Sequence, residues 1–419
     1  MGSPAVPPPI YRWSRRPVVR GFRPRHRATL AHVTGQPCSR DASLARRWRT
    51  VVAVLAVLVT SPSGPVAAAS PTPRPAPAPL PLRVTGKVPR ALLLHPTQQA
   101  WQRCALPFAW SEARCGLITV RGGALTVQLA AAWGGAIASI VYRGHELVDH
   151  HDTGRLVQLA LRDNCSESWN PTQGGGAGGF GQGVGSPTRA VRVSADAVAI
   201  TSEIRDWQSD RLTHVFVTQT VSVLAPDVLR VQYVVLGRGI RADHLRPTPS
   251  ACPANEMPAV YAGHRLTAAY AYTGQHPWAG RPVSRIRLPG TPSSATGGNL
   301  TAAVQASEHW LALIDPHTGV GLALLIPHPP AQGGQWIAAA WVLMHPRPNY
   351  IGLHVPLPIV NGSIARETVY LVAGTLPTIR HRIYALHQAL CARPGAAPPL
   401  WLALSRGTPP FCPPALPAP

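Results

Sequence analysis

Lysine is almost missing from this chain: Lys87 is the only one. Acid is scarce as well, with 17 Asp and Glu against 39 Lys and Arg, so the formal net charge is +22. No run of about 18 apolar residues occurs, which argues against a multi-span helical membrane protein. No Cys-x-x-Cys pair is present, which removes the usual spacing of a structural zinc site. The Gly-x-Ser-x-Gly element is missing too, and that disfavours a serine hydrolase. What remains is a basic, arginine-dominated chain of 419 residues, 45% hydrophobic and long enough to bury a large core.

The excess of cations is unevenly placed. Residues 1–50 hold 11 Arg and one acid, Asp41, while the rest hold 28 basic and 16 acidic residues. No basic motif interleaved with aromatics is found, so no nucleic-acid partner is expected. An acidic polysaccharide stays compatible with the charge. Arg46, Arg47 and Arg49 precede the apolar run Val51–Val59, and Ala67–Ala69 supplies an Ala-x-Ala step. That order reads as a signal peptide, or as an anchor if it stays uncleaved, and predicts a secreted or envelope protein. Membrane contact is expected through this segment alone. Six cysteines follow Cys38, an even number that suits an oxidising space. The short loops they close suggest Cys104–Cys115 and Cys391–Cys412, which leaves Cys165 with Cys252.

Prolines divide the chain. Residues 1–90 hold 16 and residues 391–419 hold 9, against 22 in the 300 residues between. The expected organisation is a leader over 1–69, a Pro-rich spacer over 70–99, a folded domain over 100–392 and a Pro-rich tail over 393–419. Inside the domain the apolar residues alternate. Val215, Val217, Val221 and Val223 share one face, the turn Ala225-Pro226-Asp227 follows, and Leu229, Val231, Tyr233 and Val235 repeat the period. Similar hairpins are expected at Leu117–Val127, broken by Gly122-Gly123, and around Asp315–Gly319. Helical spacing is convincing only at Thr378–Leu390, with Ile379, Ile383, Leu386 and Leu390 on one stripe. Many strands, long hairpins and one C-terminal helix predict an all-β, large antiparallel sandwich. Gly174–Gly185, with eight glycines in twelve residues, reads as a surface loop and not as a dinucleotide-binding turn.

Two polar clusters could carry chemistry. The first contains His150, His151, Asp152, Arg155, Gln158, Trp169, Asn170 and Gln173. The second contains Asn255, Glu256, Tyr261 and His264. Carboxylates, amides and a guanidinium fork suit sugar hydroxyls, and an aromatic face suits the C–H side of a sugar ring. His145, His150 and His151 with Asp152 read as loop hydrogen-bonding groups; no metal and no cofactor are expected. Tyr350, His345 and His354 lie among the last strands as further candidates for a concave face.

At Trp133-Gly134-Gly135-Ala136-Ile137, His151-Asp152-Thr153-Gly154-Arg155, Asn170-Pro171-Thr172-Gln173-Gly174-Gly175 and Asn361-Gly362-Ser363, the chain resembles the galactose mutarotase-like, or β-supersandwich, class. The closest likeness is to uncharacterised secreted members of that class. The resemblance implies a β-supersandwich that binds or modifies a mono- or polysaccharide. Its aldose epimerases use a His as general acid and a Glu as general base at the sugar. Arg155 is similar to the class's Gly-Arg element, while the epimerases' own His motif and base Glu have no residue-by-residue match. The resulting expectation is Glu256 as base, His151 as acid, and Asp152, Arg155, Gln158, Trp169, Asn170, Gln173, Tyr261 and His264 on the substrate. A non-catalytic envelope domain and a polysaccharide lyase are the alternatives.

Overall fold

The alternation that marks strands in the sequence becomes two sheets facing one another. A computed structural model describes residues 79–86, 116–149, 156–163, 167–170, 185–206, 212–238, 255–288, 300–327, 335–340, 349–355, 359 and 361–391. The chain divides into Met1–Ala69 and Ser70–Pro419, and every described residue lies in the second unit. The leader, the tail and the glycine run 174–184 fall outside the described residues.

The first sheet runs β1 (Arg83–Thr85), β2 (Leu117–Gly122), β3 (Leu125–Ala130), β4 (Ala136–Tyr142), β6 (Val157–Asp163), β12 (Asn255–Ala262), β19 (Asn349–Val355), β18 (Gln335–Ala340) and β15 (Leu300–Val304). A two-residue strand, β5 (His145–Glu146), folds back on β4. The second sheet runs β8 (Thr188–Val193), β9 (Val198–Asp206), β10 (Leu212–Ala225), β11 (Val228–Gly237), β20 (Ile364–Thr375), β17 (Val320–Leu325), β16 (Trp310–Ile314), β13 (Ala268–Ala271) and β14 (Ser284–Ile286). Strand β7 (Glu167–Asn170) joins β6 to β9, so β6 passes from one sheet to the other. Among the described residues every pairing is antiparallel.

Period 2 decides which side chains meet between the sheets. Val215, Val217, Val221 and Val223 of β10 pack with Leu229, Val231 and Val235 of β11 in the central core. From the first sheet come Val260, Ile351, Leu353, Trp336 and Ala338. Burying each large aliphatic side chain contributes about 1.5–3 kcal/mol. Residues of β12 and β19 with the opposite parity therefore point away from the core, and Glu256, Tyr261, Tyr350 and His354 are among them.

The helix among the described residues, α1 (Leu376–Cys391), covers the outer face of the second sheet. Ile379, Ile383 and Leu386 pack on Trp310, Leu325, Tyr370 and Val372. It starts two residues before the expected Thr378. Thr375 Oγ1 accepts a hydrogen bond from Thr378 N at 3.4 Å, which caps the helix. Pro377 then sits in the first turn, where its missing N–H costs nothing. Cys391 ends the helix and is disulfide-bonded; its partner lies outside the described residues.

The stretch read as spacer also holds structure. Strand β1 pairs with β2, and Leu80, Leu82 and Val84 pack against the core. Their alternation is short and embedded among prolines, so composition hides it.

Candidate functional site

Three strands of the first sheet present a polar row on the face turned away from the core. Glu256 on β12 stands directly opposite His354 on β19 and opposite Ala160 on β6. Gln335 on β18 stands opposite His354 on its other side. His354 Nε2 lies 3.7 Å from Glu256 Oε1, with the two side chains 18% and 13% exposed. Both are shielded but reachable. The register between β12 and its neighbours shifts between Glu256 and Ala259, so the strand bulges just beside the carboxylate. Bulges re-aim side chains next to functional positions.

The second feature of this face is aromatic. Tyr261 and Tyr350 stand opposite one another, with ring centroids 5.1 Å apart and planes tilted by 52°. They form a patch with Ala259, Ile337 and Ala339. Tyr350 Oη lies 2.9 Å from His354 Nε2, so the phenol and the carboxylate address the same nitrogen. Gly352 makes this reach possible. It sits between Tyr350 and His354 on β19, and a Cβ there would collide with Tyr350 Oη. The sequence signal is the period-2 string Tyr350-x-Gly352-x-His354, visible only once the strand and its outward face are known.

Gly352→Ala should therefore push the Tyr350 ring off the sheet. We expect a loss of about 1–3 kcal/mol in urea unfolding, together with a changed His354 imidazole signal in NMR. An unchanged His354 signal would show that the glycine is not what seats the tyrosine.

Gln158, on β6, stands opposite Ala259 and is buried at 1% exposure, one strand away from Glu256. Tyr261 is buried at 7% against Tyr350. The two distant stretches of sequence thus meet as neighbouring strands. Trp169 and Asn170 belong to β7, where Trp169 is opposite Leu161, in the second sheet beyond the point at which β6 crosses over. His264 is not with Glu256. It lies in the turn after β12, at the strand's other end, exposed and lining a separate hollow of about 300 Å³ with His145, Asp149, Arg265 and Asp315. His151, Asp152, Arg155 and Gln173 lie outside the described residues, as do His150 and His345. Sequence reasoning passed over Gln335, and it named Tyr350 and His354 without a partner. Among the described residues no group of three or more His, Cys, Asp or Glu could hold a metal ion.

No family model matches the chain, and no curated protein matches it in sequence. Solved structures do resemble it. A galactose mutarotase related enzyme from Lactobacillus acidophilus is 9% identical, with a TM-score of 0.37, over 62% of this chain and 97% of that one. An aldose epimerase homologue from C. elegans is 10% identical, with a TM-score of 0.36, over 62% of this chain and 99% of that one. A TPR-domain containing protein from Parabacteroides distasonis is 11% identical, with a TM-score of 0.39. There the match spans 62% of this chain but about half of the other, 47%. These structural neighbours include galactose mutarotase-like and aldose epimerase proteins, at low identity.

Proposed function

We propose that the protein binds a sugar on the outward face of its first sheet and carries out acid/base chemistry there. The observation that carries this reading is the Glu256–His354 pair, 13% and 18% exposed, on the outward sheet face beside the buried Tyr261–Tyr350 pair. A carboxylate in that position can take the proton of a sugar hydroxyl. His354 lies within one short step of it and can hold or return a proton, and Tyr350 positions the imidazole. At an aldose, loss of the anomeric O–H proton and gain of one at the ring oxygen breaks the C1–O5 bond and opens the ring. The sequence expectation put the acid at His151; the geometry supports His354 in that place. Export through the basic leader belongs to the same proposal and places the reaction outside the cytoplasm.

Polarimetry of common aldoses with the wild-type protein and with Glu256→Gln tests the chemistry. We expect anomerisation above the buffer rate and a fall of roughly 10²–10⁴-fold in the variant. Equal rates for wild type, variant and buffer would remove the epimerase reading.

One observation favours a second reading, a non-catalytic binding domain. His354 contacts both Tyr350 and Glu256, and such a set can serve as a fixed hydrogen-bonding platform. Glycan-array binding that survives Glu256→Gln, without anomerisation, would select it.

A further inference from the structure

Acid is distributed very unevenly along this chain. Between Glu256 and Glu308 no Asp or Glu occurs, yet the interval contains His264, Arg265, His276, Arg281, Arg285 and Arg287. The structure shows where these cations go. Among the described residues β14 pairs with β13 alone, at the edge of the second sheet. Ile286 and Leu288 turn inward and pack against the core. Arg285 on β14 and Arg287, one residue past its end, alternate with them and are exposed. Arg281 is exposed just before them, and its backbone carbonyl accepts a hydrogen bond from Arg380 of α1. Arg380 itself is already engaged, with its Nη2 4.0 Å from Glu308 Oε1 and donating to Tyr384 Oη, so the strip consists of Arg281, Arg285 and Arg287. Glu308, the nearest acid along the chain, offers these three arginines no compensation. It is fully buried, and its carboxylate accepts from Trp278 N, Trp310 Nε1 and Tyr384 Oη. Among the described residues Arg281, Arg285 and Arg287 have no side-chain hydrogen bond and no ion pair.

Unpaired arginines along an extended edge are costly in self-repulsion and suited to a linear polyanion. The guanidinium fork binds carboxylate and sulfate groups bidentately. A membrane surface fits less well. The exposed large hydrophobics among the described residues are Val193 and Ile364, neither of them on the strip, so nothing there would enter an acyl layer. Nucleic acid also fits less well, because the aromatic ring beside the strip, Trp278, is already stacked on His387 at 3.6 Å and 5°. We infer that the strip of Arg281, Arg285 and Arg287 docks an anionic polysaccharide. The strip belongs to the second sheet and does not depend on the Glu256 site.

The test uses the full chain with heparin and polygalacturonate as probes, at 50 and 200 mM salt. Control arms are phosphatidylserine vesicles and a single-stranded oligonucleotide. Arg281→Ser, Arg285→Ser and Arg287→Ser are combined in one variant. A second variant removes the same charge elsewhere, at the exposed Arg121, Arg192 and Arg238. We expect the first variant to weaken binding to at least one glycan probe by tenfold or more at 50 mM salt, and the second by less than threefold. We also expect wild-type binding to weaken steeply by 200 mM salt, because released counterions drive such association. Equal losses in the two variants would mean that net charge alone is responsible and would overturn the proposal. So would vesicles or oligonucleotide binding more tightly than both glycans, or neither glycan binding at 50 mM salt. Arginine-to-serine changes at exposed positions should leave the unfolding midpoint unchanged, so a shared loss of fold would be seen directly. Because no arm measures anomerisation or uses Glu256, failure here is distinct from failure of the proposed sugar chemistry.

Discussion

Replacing Glu367 by Gln should flatten the pH dependence of stability and make the protein more stable than wild type at pH 8.5. Glu367 has the core-facing parity of β20, directly opposite Tyr233 on β11, which in turn is opposite Gln219 on β10. This polar row is enclosed by the sandwich. Glu367 is 7% exposed and Tyr233 is 1% exposed, and Tyr233 Oη has no partner among the described residues. Gln219 is satisfied, since its Nε2 donates to Gly135 O at 2.6 Å. Glu367 accepts one hydrogen bond, from Thr368 N at 2.9 Å. Burial is the main cause that pushes its pKa up, to about 8 from 4.5, with the Thr368 bond opposing. The phenol of Tyr233 is pushed up by the same cause.

The sign follows from proton counting. Between pH 4.5 and about 8 the folded protein holds the Glu367 proton and the unfolded chain does not. Stability from this group is complete below the lower value and drains away as pH rises through the upper one. The full span corresponds to roughly 4–5 kcal/mol. Glutamine keeps the acceptor for Thr368 and cannot ionise, although its buried amide donors cost about 1–3 kcal/mol. Urea unfolding at pH 5 and pH 8.5 checks this. We expect wild type to be equal to or better than the variant at pH 5, and the variant to be better by about 2 kcal/mol at pH 8.5. Parallel curves for the two proteins would show that Glu367 does not titrate over this range.

Glu308→Ala should be the most destabilising single change on the helical side of the second sheet. Glu308 is 0% exposed and collects three donors: Trp278 N at 2.9 Å, Trp310 Nε1 at 3.0 Å and Tyr384 Oη at 2.6 Å. Arg380 Nη2 lies 4.0 Å from the same carboxylate and donates to Tyr384 Oη at 2.9 Å. The cluster fastens α1 to the loop after β13. It also holds Trp278 at a φ of 67°, in the left-handed region that non-glycine residues rarely adopt. Burial, and then the bond to Glu308, push the Tyr384 phenol up. Alanine would leave three donors and a largely buried guanidinium without their acceptor, at a cost of about 3–5 kcal/mol. Glu308→Gln, which keeps one acceptor oxygen, should lose less. Urea unfolding followed by Trp fluorescence measures both. A loss under 1 kcal/mol for the alanine variant would mean that α1 is held by Ile379, Ile383 and Leu386 alone.

Local pattern carried far in this chain because strands and hairpins are local objects. The valines of β10, the Ala225–Asp227 turn and the alternation of β11 could be read directly, and so could the apolar stripe of α1. Strand β1 could not, because three alternating apolar residues among prolines carry too little signal. Glu308 shows a different limit. It follows Ala306-Ser307 in an unremarkable turn, and only the docking of α1 brings Tyr384 and Arg380 to it, 76 and 72 residues further along the chain.

Composition and period were enough to make this an antiparallel sandwich with a basic surface, since burial of alternate apolar residues depends on nothing beyond the strand itself. They were also enough to single out Glu256, a lone carboxylate in a long acid-poor interval. They did not say that its partner would be His354, 98 residues away, or that a glycine between Tyr350 and His354 would let the phenol lie along the sheet. Which residues stand opposite one another depends on strand order and register. These are settled when two sheets pack face to face and every strand must find both its neighbours and its buried side.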